Sequence, residues 1–381
     1  MTIIDRYLLF QFFKIFLVCL ISFSGLYVVI HVFTNLDEVV EISGKYNGAK
    51  TLVVDFYGPR ILDFFNRTAG ILILVSSVFA IAMMQRRRES TATEAAGITK
   101  WRIARPIVFA SIALIALAAV SRELYIPKYK AMLVRSLTNW TEEGSVPMHQ
   151  VKDLATGILI KGDQLMINES RITDIQLTLP RGLSDQFLDL NAESALILAA
   201  DPTKDQPKGV LLDVNVEPQK LLDSKSIHAS DGRTIVFTPA EFSWLNESEI
   251  FVACDLDIDE IAYGENLSKY SSLNEMIASL KRPSNRFGIG DRVAIHSRII
   301  KPVLELTLLL IGLPLVICNP NGNIFLGAAI CLLIIFSIES LTAASHALGA
   351  FRMIRPAAMA AWLPVFVFLP FTAFSVRKLF S

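Results

Sequence analysis

Six apolar runs, three before a long polar insert and three after it, dominate this chain of 381 residues and restrict the folds open to it. They cover about 15–33, 69–84, 106–121, 302–318, 324–341 and 357–374. A hydrocarbon core of about 30 Å takes about twenty apolar residues in a helix. The runs at 69–84 and 106–121 fall short of that, and the amphipathic flanks 52–66 and 98–105 extend them. The first run follows Asp5, Arg6 and Lys14 and lacks the short core and small-residue cleavage site of a signal peptide, so it reads as a retained span.

Composition agrees with a membrane base. Mean hydropathy is +0.47, and 52% of residues are hydrophobic against 19% charged, fewer charges than a soluble chain normally carries. The formal net charge is zero, with no basic block of the kind that binds nucleic acid. Cys19, Cys318 and Cys331 fall in or beside apolar runs and Cys254 stands alone in the insert, so neither a disulfide framework nor a zinc spacing follows.

Basic residues in the short loops set the orientation. Arg86, Arg87, Arg88, Lys100, Arg102 and Arg105 follow the second run, whereas the loop after the first has Lys45, Lys50 and Arg60 among acidic residues. The triple-arginine side is therefore expected to be cytoplasmic, with both termini inside and the insert outside. Arg352 and Arg355 in an outer loop run against this rule.

The insert changes period. Ile250, Val252, Cys254, Leu256 and Ile258 alternate, as do Val210, Leu212, Val214 and Val216, each the pattern of a half-buried strand. Further strands are expected at 158–161, 164–167, 172–179, 195–199 and 234–237, with Gly162-Asp163 as the turn of a hairpin. Ser272 followed by Glu275 forms a capping-box pattern opening a helix over 273–280. The expected fold class is an α-helical membrane protein with six transmembrane helices (3+3) and an inserted extracytoplasmic all-β domain, sandwich or jelly-roll-like. The expected boundaries are 1–121, 122–298 and 299–381.

The insert shows little chemistry. His149 and His228 are isolated, and no metalloprotease, nucleophile-elbow or phosphate-loop pattern occurs, so a binding or conduit domain is favoured over an enzyme. The Asn-x-Ser/Thr triplets at Asn66, Asn139, Asn168, Asn246 and Asn266 are treated as chance. In the cytoplasmic loop, Glu89 and Glu94 bracket a short helix, about 89–97, that Gly97 is placed to close with a left-handed cap. Such a helix across the mouth of a membrane protein can dock a soluble partner. The same residues also fit a solvated loop that obeys the positive-inside rule.

The ordered combination of motifs resembles the LptF/LptG permease family of the lipopolysaccharide-export ABC transporter over essentially the whole chain. It begins with Asp5-Arg6-Tyr7 and Asn35-Leu36-Asp37-Glu38, continues with Glu89, Ala96-Gly97-Ile98-Thr99 and Trp101 to Pro106, and ends with His296-Ser297-Arg298, Pro302 and Leu310 to Leu315. The resemblance implies a non-catalytic transporter subunit in the bacterial inner membrane, with the β domain in the periplasm. Expected partners are a second LptF/LptG-type permease, an LptB-like ATPase dimer and an LptC-like or LptA-like periplasmic β protein. The cargo is lipopolysaccharide or a related glycolipid, and no nucleic acid is involved. It further implies that this chain binds no cofactor itself and that ATP and Mg are used by the ATPase. Glu89 stands at the family's coupling-helix acid, with Arg88, Glu94 and Gly97 around it. The first and fifth spans would be gate helices.

Glu339, Thr342 and His346 lie on one face of the fifth span, at spacings of three and four. A charge at membrane depth usually faces protein or water. With Val29 and His31 on the first span they form a candidate gate and cavity wall, although Glu339 can equally be solvated near the interface or bonded to a neighbouring helix. Lys45, Arg60, Arg122 and Lys128 are candidate head-group contacts by location, and Lys301 with Glu305 reads as an interfacial ion pair. A membrane-anchored adaptor whose β domain binds envelope proteins without transport is the competing reading.

Overall fold

The computed structural model describes residues 3–45, 52–134, 145–148, 150–153, 156–167, 169–180, 188–200, 206–218, 224–228, 232–255, 258–263, 269–280, 289–319, 324–351, 353–354 and 356–380. Side chains at 41–45, and hence that of Lys45, lie outside the description, as do His149, Arg352, Arg355, Asn139, Asn168 and Asn266. The chain forms two compact units, Met1–Lys128 with Gly288–Ser381, and Tyr129–Phe287.

In the first unit, six helices are long and apolar enough to cross a membrane. They are α1 (Ile3–Thr34), α3 (Gly58–Arg86), α5 (Lys100–Leu124), α9 (Ile289–Ile317), α10 (Ile324–Ala350) and α11 (Ala357–Phe380). The two short apolar runs are extended by their flanks: α3 starts at Gly58 after a π-helical turn, Leu52–Tyr57, and α5 starts at Lys100. Two shorter helices join them, α2 (Leu36–Lys45), a helix where hydropathy indicated only a loop, and α4 (Glu89–Ala95).

Burial separates these helices into two groups. The span that contains α3 is 67% buried, because Leu72, Ile73, Leu74, Val78 and Ile81 point to several neighbours at once. The spans of α1 and α10 are only 11% and 17% buried within the chain. Along α1, Phe10, Leu17, Val18, Ile21, Leu26, Val29, Ile30 and Phe33 are all exposed. Even at half of the roughly 1.5–3 kcal/mol that burying such a side chain contributes, hydrating eight of them costs on the order of 10 kcal/mol, as much as a whole domain's stability. That surface requires lipid, cargo or another chain. What holds α1 is a stripe at spacings of four, Leu8, Phe12 and Phe16, with Phe16 edge-on to Phe65 and Tyr27 stacked on Phe64 at 5.3 Å.

The second unit is a ten-stranded sheet in which every pairing is antiparallel. Its strands are β1 (Ser145–Pro147), β2 (Val151–Lys152), β3 (Leu159–Lys161), β4 (Gln164–Met166), β5 (Arg171–Leu179), β6 (Leu188–Leu198), β7 (Gly209–Val214), β8 (Ile227–His228), β9 (Thr234–Phe237) and β10 (Ile250–Ala253). The order is β1-β4-β5-β6-β7-β10-β9-β8, with β2 on β3 and β3 on β5. Short helices accompany them among the described residues, including α6 (Lys130–Val134), α7 (Ile258–Tyr263) and α8 (Leu273–Ser279), the last opened by the Ser272/Glu275 capping box.

Two local readings change. Gly162-Asp163 is no hairpin turn, because β3 and β4 do not pair with each other and both lie against β5, Lys161 opposite Gln176 and Leu165 opposite Ile172. The glycine marks a break within one long extended segment: a Cβ there would meet Ile172 Cγ2 at 2.5 Å and Met148 Sδ at 2.9 Å. The alternation from Ile250 also ends early. Its strand stops at Ala253, and Ile258 opens α7 instead.

Alternation explains the unit's two cores. Val210, Leu212, Val236 and Val252 join one apolar cluster with the inner residues of β3 to β6. Phe237 and Phe251, pointing the other way, pack with Leu245, Phe242 and Trp244 from the segment after β9. The β10 end of the sheet is thus covered on both faces, where a strict alternation with water would leave one wet.

Candidate functional site

A cavity of about 220 Å³ lies within the helical unit, near the ends where α5 finishes and α9 begins. Four cations, Arg67, Arg122, Arg298 and Lys301, line it against two carboxylates, Glu305 and Glu339. Apolar walls come from Ile71, Leu304, Leu308 and Ile338, and Thr342, His346 and Ser297 complete the polar side. This is a basic recess inside an apolar bundle, a costly arrangement unless its charges face one another, water or a ligand.

Its geometry is organised by a backbone oxygen. Asn66 O accepts from Arg122 Nη2 at 2.9 Å and from Lys301 Nζ at 2.9 Å, so α5 and α9 both reach the same turn of α3. Asn66 Nδ2 in turn donates to Ser121 Oγ at 3.2 Å. Lys301 Nζ stands 3.9 Å from Glu305 Oε1, and Glu305 is 8% exposed. The pair is therefore part of a buried network and not the isolated interfacial bridge that its spacing suggested. Beside it, Gly70 leaves room that a Cβ would take, 2.8 Å from Glu305 Cγ.

The structure brings Arg122, Glu339, Thr342 and His346 together on the cavity wall. Thr342 donates to Ile338 O within its own helix, and His346 Nε2 is 2.5 Å from Ser297 Oγ on α9. Other candidates lie elsewhere. His31 Nδ1 is 3.2 Å from Tyr57 Oη, and Arg60 is buried with its guanidinium 3.4 Å above the Phe56 ring and a bond to Phe56 O. Lys128 lies 5.8 Å above the Tyr125 ring, and Val29 is half exposed on α1.

Residues that the sequence reading did not assign to a site are Arg67, Ser297, Arg298, Lys301 and Glu305. A signal for part of them exists: Ser297, Lys301 and Glu305 repeat at four, one polar face on a helix that is otherwise apolar.

At the opposite end of the bundle, α4 runs from Glu89 to Ala95 and closes at Gly97, whose φ of +74° is the left-handed cap. Ile98 N–H returns to Thr93 O at 3.0 Å, and Gly97 N–H to Glu94 O at 3.0 Å. Arg88, at φ 57°, is left-handed as well, so α4 is offset from its neighbours by a sharp backbone turn on each side. Glu94 is exposed, whereas Glu89 is partly covered and accepts from Tyr7. Gln85 Nε2 donates to Val316 O at 2.7 Å, joining the C-terminal ends of α3 and α9.

The family model described as lipopolysaccharide export system permease LptF/LptG matches residues 6–378, nearly the whole chain, and the chain belongs to that family. No curated protein matches it. Membership and the six apolar helices make it a multi-pass inner-membrane protein and a component of lipopolysaccharide transport.

Proposed function

We propose that this LptF/LptG-family chain is the membrane permease subunit of an ABC transporter that extracts lipopolysaccharide, or a related glycolipid, from the outer leaflet of the inner membrane. The observation that carries the reading is the combination of two sparsely buried spans, α1 and α10, with a basic cavity on the α10 side. A lipid with several acyl chains enters sideways between apolar helix faces, and its anionic head group needs cations at the polar end. α1 offers the apolar face, and Arg67, Arg122, Arg298 and Lys301 offer the charge.

In this reading both termini and α4 are cytoplasmic, as the basic residues around Arg86 to Arg88 support. α4 docks an LptB-like ATPase dimer, which uses ATP and Mg, and this chain supplies no catalytic group. The exposed faces of α1 and α10 meet a second LptF/LptG-type permease. The periplasmic β unit is jelly-roll-like and passes lipid to an LptC-like or LptA-like β protein. Its support is one continuous antiparallel path whose inward residues share a single core.

The test is purification of the tagged chain from cells in mild detergent. A nucleotide-hydrolysing subunit and a second permease in stoichiometric amount, with lipopolysaccharide release on ATP addition, support transport. A preparation that retains envelope β proteins but no ATPase sinks it and favours the adaptor.

A further inference from the structure

Helix α4 is tied to the beginning of α1 through its first residue, Glu89. Tyr7 Oη is 3.1 Å from Glu89 Oε1 and 3.0 Å from Oε2, and it accepts from Arg87 Nη1 at 3.2 Å. Past the Gly97 cap, Arg102 Nη2 lies 3.8 Å from Asp5 Oδ2. These are tertiary links, spanning 82 positions between Tyr7 and Glu89. The Tyr7 bonds join the first turns of α1 to the start of a helix that left-handed residues, Arg88 and Gly97, set off from the elements before and after it, whereas the Arg102–Asp5 pair joins α1 to α5. The two left-handed turns are the points about which such a segment can shift relative to α3 and α5.

α1 is built to follow such a movement. Its fully buried apolar residues, Leu8, Phe12 and Phe16, form one stripe in the half nearest α4, and 11% of its span is buried in total. A helix held by one buried stripe near its pinned end, and beyond it by the ring contacts of Tyr27 with Phe64 and His31 with Tyr57, tilts about these contacts when the pin shifts. We propose that Tyr7 is the positioning residue that carries displacement of α4 to α1, so that an event at the docking helix reaches the lateral face of the lipid path directly. This rests on the reading of α4 as the ATPase seat and of α1 as a gate helix. Glu89 serves both sides at once. A carboxylate offers about four acceptor sites, so it takes the Tyr7 hydroxyl and still has capacity for a cation from the ATPase.

The experiment uses the complete complex, purified with its ATPase and placed in lipid nanodiscs with lipopolysaccharide. Tyr7→Phe removes one oxygen and keeps the ring that packs beside it. The expected variant retains the ATPase at the wild-type ratio and hydrolyses ATP at the basal rate, while lipopolysaccharide-stimulated hydrolysis and lipid release fall about tenfold, the scale of one charge-assisted hydrogen bond. Spin labels at Ile21→Cys on α1 and Phe79→Cys on α3, both exposed positions, are expected to report a nucleotide-dependent change in distance that Tyr7→Phe abolishes. A structural role alone does not remove that change while leaving assembly intact. Stimulated hydrolysis and the distance change both surviving in Tyr7→Phe overturn the link and leave the docking reading standing. Loss of the ATPase from the Tyr7→Phe complex makes Tyr7 part of the seat and also overturns it. Absence of an ATPase from the wild-type preparation overturns both readings.

Discussion

His346 on α10 and Ser297 on α9 share a hydrogen bond of 2.5 Å. The Ser297 hydroxyl also lies 2.9 Å from Val293 O, so the imidazole Nε2 is the donor in the tautomer that carries its hydrogen there and the acceptor from the hydroxyl in the other. In either tautomer the ring is a polar link through which the cavity end of a sparsely packed helix is held to its neighbour.

If that bond restrains α10, losing the ring nitrogen frees the helix. His346→Leu is expected to weaken the attachment by about 0.5–1.5 kcal/mol and to speed amide exchange over residues 338–349 by up to about tenfold. His346→Gln, which keeps a donor, should exchange nearly as the wild type does. Equal exchange in all three proteins refutes the restraint.

The Lys301–Glu305 pair should show coupling. Lys301→Met leaves Glu305 at 8% exposure without its nearest cation, and Glu305→Leu leaves Lys301 and Arg122 facing each other across Asn66 O. Each single change is expected to cost about 1–3 kcal/mol, below the roughly 3–5 of a fully buried pair because the Lys301 side chain keeps 32% exposure. The double variant should recover most of the loss. Thermal unfolding in detergent measures all three, and strictly additive losses would show that the two groups act independently.

Glu89 and Glu94 sit on the same short helix in different surroundings, one partly covered and hydrogen-bonded, the other exposed. Glu89→Ala is expected to reduce ATPase copurification or uncouple hydrolysis, and Glu94→Ala to do less. Indistinguishable behaviour of the two variants removes Glu89 from the coupling role.

The β unit offers two edges. β1 with β2 bounds one side of the sheet and β8 the other, each pairing with an inner strand on one side only among the described residues. Photocrosslinkers at Lys152 and His228 should capture a periplasmic β partner at one of these edges and not at both, since head-to-tail relay uses one edge toward each neighbour. No capture in intact envelopes that still export lipid ends the conduit reading.

How much of this was readable from residues alone varies with what carries the signal. The spans, the strands Arg171–Leu179, Gly209–Val214 and Thr234–Phe237 and the Ser272/Glu275 cap follow from hydrophobic period and a side-chain pattern, whereas Leu188–Leu198 starts seven residues before the strand expected at 195–199 and Ile227–His228 lies outside the expected strands. The Gly162 hairpin failed because a glycine that permits close approach of Ile172 looks the same in sequence as one that permits a turn. Ile258 failed because alternation continued by chance past the last ladder bond. The hub of the cavity was hidden for a different reason: Asn66 acts through its backbone carbonyl, which has no residue signature. Lys301 and Glu305 were visible as a pair, but their burial depends on α3 and α5, which a single helix pattern does not report.

The lateral gate gives the most direct test of transport. Val29 lies in the C-terminal half of α1, half exposed, on a stretch that also shows Leu26, Ile30 and Phe33. Leu341 sits two residues beyond Glu339 on α10, partly covered, between the apolar half of that helix and its polar end. Where acyl chains pass between two such helices, their outer ends have to separate by about the width of a chain, and a covalent bridge forbids that. Cysteines replacing Val29 in this chain and the residue corresponding to Leu341 in its paired permease should form a disulfide in the resting state, within the roughly 4.4–6.8 Å Cα separation that such a bond allows. Oxidation is expected to stop lipid release with ATP hydrolysis continuing at its basal rate, and reduction to restore release. A control pair on the buried face away from the cavity, such as Leu74 with Gly312, should leave export unaffected by oxidation. Undiminished export from the bridged pair would mean that the lipid takes another route, since chains cannot pass through a joined seam.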